Sequence, residues 1–438
     1  MRTFAGKITG MNILILGSGG REHALAWTVA QSPRCEKLYC APGNGGTAAA
    51  YENVALDPMD FKAVGRFCAA QKMDMLIVGP EAPLVGGIAD YFAQEEALRH
   101  IAVMGPGQTA AQLEGSKRYA KEFMAENGIP TARYRAFEQG QEADALAFLG
   151  ELAPPYVLKA DGLAGGKGVL ILQERAAAEE EVSAMLGGKF GKASHTLVIE
   201  EFLAGREFSV FALTDGQHYR LLPAAVDYKR RGEGDTGLNT GGMGALSPVP
   251  FMSEALWARV EAEIVKPTLA GLQRRELDYR GFLFFGLMEV NGAPYVIEYN
   301  VRLGDPEAEV VLPRLEEDLL EACQQAWEGK LPPGPFVEKE DEAATVVAVM
   351  EGYPGSYPKG KAITGLSDVT EKDTLLFQAG TRQEADGKTY TAGGRVLALT
   401  GLGKTREAAL EICYAGARKV CFEGIDYRRD IGGEWRKK

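Results

Sequence analysis

The stretch 156–169, YVLKADGLAGGKGV, has four glycines and sets two lysines, Lys159 and Lys167, on either side of three of them. Lys159 lies near the end of an apolar run with strand character, and Lys167 stands where a second strand would start. Glycine lets a backbone bend freely and bring N–H groups close to a bulky anion. Ammonium groups at both ends can neutralise a polyphosphate. The loop is not a Walker A loop. That motif needs a glycine five residues before its Gly-Lys pair and Ser or Thr after it; this chain has Asp161 and Gly168 there. Alone, the stretch fits either a triphosphate loop or a flexible surface hairpin.

Three other segments carry chemistry. Phe282–Val290 and 295–300 form a candidate hairpin around Asn291-Gly292, and they bear Glu289, Glu298 and Asn300. Glu298 and Asn300 are two apart and share one face of a strand. Oxygen ligands converging there suit Mg²⁺ or Mn²⁺ shared with phosphates, with Glu289 across the hairpin as a third. Ordinary surface acids on a solvated edge strand are the alternative. The segment 227–247, DYKRRGEGDTGLNTGGMGALS, is glycine-rich with little to bury. Long irregular loops in compact domains are functional or disordered, and this one, led by Asp227, Lys229 and Arg230, is expected to be a mobile lid over charged substrates. Glu200-Glu201-Phe202-Leu203 follows a strand and offers a hinge for adenine, with Glu207 placed for ribose hydroxyls.

The elements that must hold these groups come in two patterns. To about residue 114, apolar runs at 12–16, 74–78 and 101–104 alternate with helical stretches such as Phe61–Gln71. That implies a doubly wound parallel sheet. Its first turn, Gly17-Ser18-Gly19-Gly20, presents backbone N–H groups at a helix N-terminus, a phosphate site or a plain tight turn. From 156 the pattern becomes strands with short turns, α+β in character, with a long helix from Ser253 to about Leu272. Leu331-Pro332-Pro333-Gly334-Pro335 reads as a linker, and the tail after it as a small separate α+β unit. The expected domains are 1–114, 115–330 and 336–438, with residues 1–10 a short disordered extension.

Bulk properties narrow the class. The 438 residues carry a net charge of −12, which argues against non-specific nucleic-acid or anionic-membrane binding. No run of about eighteen apolar residues occurs. The six cysteines form no CxxC pair, so zinc is not expected, and reduced thiols fit a cytoplasmic protein. No nucleophile–base pair or GxSxG elbow stands out.

The order of these segments resembles the ATP-grasp enzymes, and within them the phosphoribosylamine–glycine ligase family. The matching stretches are GSGGREHA (17–24), PGNGGTA (42–48), GPEAPL (79–84), LEGSK (113–117), KADGLAGGKGV (159–169), DYKR with DTGLNTGGMGALSP (227–248), IEYNVRLGDPE (297–307) and TAGGRVL (391–397). The resemblance implies a central ATP-grasp domain and ATP-dependent ligation of glycine to 5-phosphoribosylamine through glycyl phosphate. Lys117 and Lys159 would hold ATP phosphates under the loop with Gly165, Gly166 and Lys167. Glu200, Glu201 and Leu203 would frame adenine and Glu207 the ribose. Glu298 and Asn300 would bind the metal, with Glu289 less secure. Asp227 would take the glycine ammonium and Arg302 its carboxylate, beside Lys229 and Asn300. Gly17, Gly19 and Gly20, with Asn44, Gly45, Gly46 and Thr47, would bind phosphoribosylamine. Many relatives have His where this chain has Tyr228.

The rivals are another ATP-grasp carboxylate–amine ligase, an NAD-dependent oxidoreductase and a nucleotide sensor without chemistry. The oxidoreductase would need an acid ending the second strand, where the chain reads Leu38-Tyr39-Cys40-Ala41. Its third fingerprint glycine is Glu22.

Overall fold

The computed structural model describes residues 10–163, 168–191, 195–370 and 374–435. The predicted extension, residues 1–9, lies outside this set, as do Gly165, Gly166 and Lys167 of the two-lysine loop.

The first apolar run becomes the strand Met11–Gly17, the centre of a five-stranded parallel sheet. The order across it is Glu52–Asn53, Cys35–Pro42, Met11–Gly17, Met75–Val78, Ala102–Met104. Leu14 and Leu16 enter one hydrophobic core and Ile13 and Ile15 another. Burial on both faces is why the run shows no polar alternation. The strand order reverses between Met11–Gly17 and Met75–Val78. In such sheets a ligand crevice opens beyond the carboxyl ends at that point, here beside Gly17 and Gly79.

Two antiparallel sheets form the middle of the molecule. One runs Tyr134–Glu138, Thr196–Glu201, Tyr156–Ala160, Val169–Leu172. The helices Glu142–Leu149 and Arg175–Leu186 cover one face, where Tyr156, Leu158, Ala160, Leu197 and Ile199 pack. The period of two then turns Lys159 and Glu200 to the opposite face. The other sheet runs Tyr219–Leu221, Arg206–Thr214, Gly281–Val290, Ala293–Asn300. The predicted hairpin is present, with Asn291 and Gly292 both at positive φ (51° and 79°), as a primed turn requires.

A bulge in this hairpin sets the face of the acids. Gly286 pairs with Glu298 but Leu287 pairs with Val296, so Ile297 is the extra residue. Val296, Tyr299 and Val301 enter the core. Without the inserted residue, Val296 and Glu298 would share a face; the bulge re-phases the strand so that Glu298, Asn300 and Arg302 look the other way.

The tail is less separate than its linker suggests. Its sheet, Leu375–Gln378, Arg395–Gly403 and Glu342–Met350, continues into Gly244–Ser247 and Val226–Asp227 from the middle of the chain. The expected free lid is therefore anchored. Arg230–Gly232 pairs with Thr236–Asn239, Arg231 reaches Asp426 at 2.7 Å, and Arg428 holds Asp235 at 2.6 Å. Glycine content signals backbone freedom but cannot reveal a partner edge supplied by residues 100 positions away. The long helix is present but segmented: Glu254–Val260, a π turn at Glu261–Val265, then Lys266–Arg274. Pro267 lacks the N–H that a regular ladder would use there.

Candidate active site

A cleft of about 710 Å³ lies where the two antiparallel sheets, the crevice of the parallel sheet and the segment 300–307 meet. One wall is cationic. Lys117 opens the helix Lys117–Glu126, which Ser116 caps from its side chain. Asp161, the residue that excludes a Walker loop, accepts from Ser116 Oγ (3.0 Å) and from the Arg118 amide (2.7 Å). It thereby ties the two-lysine loop to that helix start. Lys117 Nζ reaches the Gly162 carbonyl at 3.4 Å. Lys159 Nζ donates to the carbonyl of the bulged Ile297 at 3.2 Å and pairs with Glu200 at 3.0 Å. Leu163 and Gly168, which flank the undescribed part of the loop, line the same cleft.

Glu298 and Asn300 face these lysines across the cleft. Burial would raise the Glu298 carboxyl, but Lys229, Lys159, Lys117 and Arg302 hold it below the usual range, so it is ionised. Asn300 Oδ1 accepts from Arg302 Nη2 at 3.2 Å. Among the described residues no group of three or more His, Cys, Asp or Glu is placed to hold a metal. An ionised carboxylate and an amide oxygen are hard donors, and they fit a divalent cation that takes its other oxygens from phosphate and water.

Deeper in, Asp227 lines the cleft with Lys229 Nζ 3.9 Å from its Oδ1. Lys229 also pairs closely with Glu207. Burial, with Glu307, Glu207 and Glu298 nearby, raises the Asp227 carboxyl well above its usual range against the pull of Lys229. Burial lowers Lys229, but the surrounding carboxylates outweigh it and hold the ammonium well above its ordinary value. Acids thus outnumber cations here, a setting that favours an incoming cation. Arg302 is held between Glu114 (2.9 Å) and Glu81 (3.7 Å).

Comparison with known proteins decides the family. Three family models match in series: the N domain of phosphoribosylglycinamide synthetase at residues 11–114, its ATP-grasp (A) domain at 115–308 and its C domain at 343–434. The chain belongs to the phosphoribosylglycinamide synthetase family. It is an ATP-grasp ligase that uses ATP and a divalent metal, as that family does. The phosphoribosylamine–glycine ligase of a Nostoc species is 46% identical over 96% of this chain and 99% of its own length. The Pasteurella multocida protein of that name is also 46% identical, over 96% and 97%. The crystal structure of the Thermotoga maritima ligase superposes with a TM-score of 0.82 at 38% identity, covering 96% and 99%. A biotin carboxylase from Campylobacter jejuni shares the fold alone, with a TM-score of 0.71 at 16% identity.

Within this synthetase fold the structure brings Gly17, Gly19, Lys117, Lys159, Glu200, Asp227, Lys229, Glu298, Asn300 and Arg302 into one cleft. It does not bring Glu289 there. That carboxylate sits at the hairpin turn, accepting from the Gly292 amide (2.5 Å) and pairing with Arg206 (2.8 Å). Pairing opposite Pro294 puts it three residues beyond Gly286, the position that faces Glu298. Glu201 accepts from the Arg133 amide at 2.8 Å, and Leu203 lies half-buried just past the strand end. Glu207 borders the cleft through Lys229.

The second glycine segment is also placed differently from expectation. Asn44 Oδ1 accepts from the Gly46 and Thr47 amides, and its Nδ2 donates to Ser18, Gly19 and Gln378 carbonyls. The Gly45 amide donates to Thr381 Oγ1. Asn44, Gly45, Gly46 and Thr47 are buried against the tail, and Gly20 is packed beneath Glu309. Their polar groups are spent on protein partners, leaving only the Gly17–Gly19 part of the turn at the cleft. Even there the Gly19 amide donates to Glu22 Oε2 at 2.5 Å. Tyr228 points away from the cleft, its hydroxyl donating to Glu434 at 2.6 Å.

Sequence reasoning missed several groups that line the cleft: Arg21, Glu22, Glu114, Lys121, Glu307 and Arg395. Lys121 had a signal, since it stands four residues after Lys117 on one helix face. Arg395 lay in the matching stretch TAGGRVL, but nothing local placed it at the cleft; it arrives from the tail sheet to bond Asp305 at 2.9 Å and the Gly241 carbonyl at 2.6 Å.

Proposed function

We propose that this chain joins glycine to 5-phosphoribosylamine, giving glycinamide ribonucleotide, ADP and phosphate in purine synthesis. The observation that carries the reading is the set of charges gathered in one cleft. It holds Lys117 and Lys159, an ionised Glu298 that feels both, the acids around Lys229, and Arg302. Lys117 and Lys159 hold the triphosphate, with Gly165, Gly166 and Lys167 over it. Glu200, Glu201 and Leu203 border the adenine. Glu298 and Asn300 hold Mg²⁺ or Mn²⁺, which, when bound, neutralises charge on the phosphates. Asp227 takes the glycine ammonium and Arg302 the carboxylate. Residues 1–114, 115–330 and 336–438 act as the three units of this site.

In this reading a carboxylate oxygen of glycine attacks the γ-phosphorus as the bond to ADP breaks. The amine of phosphoribosylamine then attacks the acyl carbon of glycyl phosphate, phosphate leaves, and the nitrogen loses a proton. No enzyme nucleophile is needed, so the protein contributes position and charge neutralisation. A coupled assay that omits one substrate at a time tests this. Phosphate release should require both glycine and phosphoribosylamine. Equal release with another amino acid, or with no amine, would overturn it.

A further inference from the structure

We propose that Lys121 is a positioning residue for ATP, sharing Glu200 with Lys159 so that Lys159 keeps positive charge to spare for the triphosphate. The proposal rests on the reading of Lys159 as a phosphate ligand.

The geometry is a closed chain. Glu200 Oε2 lies 3.0 Å from Lys121 Nζ, and Oε1 lies 3.0 Å from Lys159 Nζ. Lys121 also donates to Thr131 Oγ1 at 2.7 Å, and that hydroxyl donates to the Val296 carbonyl at 2.7 Å. Lys159 donates to the Ile297 carbonyl. The chain therefore starts and ends on the two residues of the bulge that aims Glu298. It links the phosphate wall to the metal-facing strand through Lys121, Glu200 and Lys159, which are only 2–5% exposed, and the half-buried Thr131.

One ammonium would satisfy Glu200. A second buried lysine is costly, and burial pushes Lys121 down to about 8 against the attraction of Glu200. Its contribution is electrostatic. With both lysines charged, the trio carries net positive charge. With Lys121 neutral, Glu200 cancels Lys159 and the phosphates keep only Lys117 as uncompensated charge on that wall. The charged groups that act on Lys121 are Glu200, Lys159 and Glu201, with Tyr134 beside it. Tyr134 presents its ring 5.5 Å from the ammonium.

The test is calorimetric ATP binding to the full chain with Mg²⁺ from pH 7 to 9. Wild type should lose affinity about tenfold as Lys121 deprotonates. Lys121→Met should bind about tenfold more weakly at pH 7 and show no further loss to pH 9. Lys121→Arg, which stays charged, should bind tightly across the whole range. A Lys121→Met profile that parallels wild type would overturn the proposal, as would wild-type affinity for Lys121→Met at pH 7. If Lys121→Met fails to fold, wild type against Lys121→Arg decides, and parallel profiles overturn it. Lys159→Ala separates the two levels: unchanged ATP affinity there would refute the reading of Lys159 itself.

Discussion

Two glycine-rich, polar segments of this chain look alike on paper and end in opposite roles. At 159–163 Lys159 faces an open cleft, and Asp161 anchors the segment from one side. At 42–48 the amides of Gly45, Gly46 and Thr47 are all bonded to protein oxygens, and Asn44 stitches three carbonyls together. The first is proposed as a phosphate cradle; the second is a seam between the first sheet and the tail. A backbone amide can bind a ligand only when no side chain has already taken it. Composition does not show which has happened.

Breaking the cradle should cost catalysis and spare the fold. Lys159→Ala should lower kcat/KM by about 100-fold or more. Glu200 retains Lys121 in that variant, so the melting temperature should hold. A large fall in melting temperature with little kinetic change would reverse the roles assigned to the two segments.

Breaking the seam should do the converse. Asn44→Ala removes a cap and leaves buried carbonyls unpaired, at a cost of about 2 kcal/mol in chemical denaturation. The glycine and ATP KM values should not move. His23 sharpens the point. Its Nδ1 accepts from the Gln378 amide at 2.8 Å, and burial pushes the imidazole from 6.5 down to about 4. The folded state therefore binds this proton less readily than the unfolded chain. Its contribution is present above pH 6.5 and is lost as pH falls toward 4. His23→Gln should flatten that part of the stability–pH curve, and an unchanged curve would remove His23 from the seam.

Smaller effects separate the two ends of the cleft. Asp227→Asn should raise the glycine KM about tenfold and leave ATP binding alone; a rise in ATP KM instead would move Asp227 to the nucleotide. Glu289→Gln should leave the metal titration unchanged and alter stability by less than about 1 kcal/mol. A shifted titration would return that residue to the metal.

Local signals in the sequence account for much of this arrangement. The buried runs at 12–16 and 156–160, the Asn-Gly hairpin and the Glu-x-Asn pair needed only periodicity and turn chemistry. What escaped depends on long-range pairing. The anchored 227–247 segment takes its partners from residues 342–350 and 426–430. Arg395 enters from the tail. Glu289 seemed a ligand because a hairpin places two strands side by side, but one extra residue at Ile297 decides which positions face each other. Single-residue registers of that kind leave no mark on composition.

In the proposed reaction the cleft makes a glycine carboxylate attack phosphorus. Glycine carrying ¹⁸O in both carboxylate oxygens tests it directly. One labelled oxygen should appear in each phosphate released, read by mass spectrometry. Phosphate free of label, formed at the same rate as the ligated product, would contradict it.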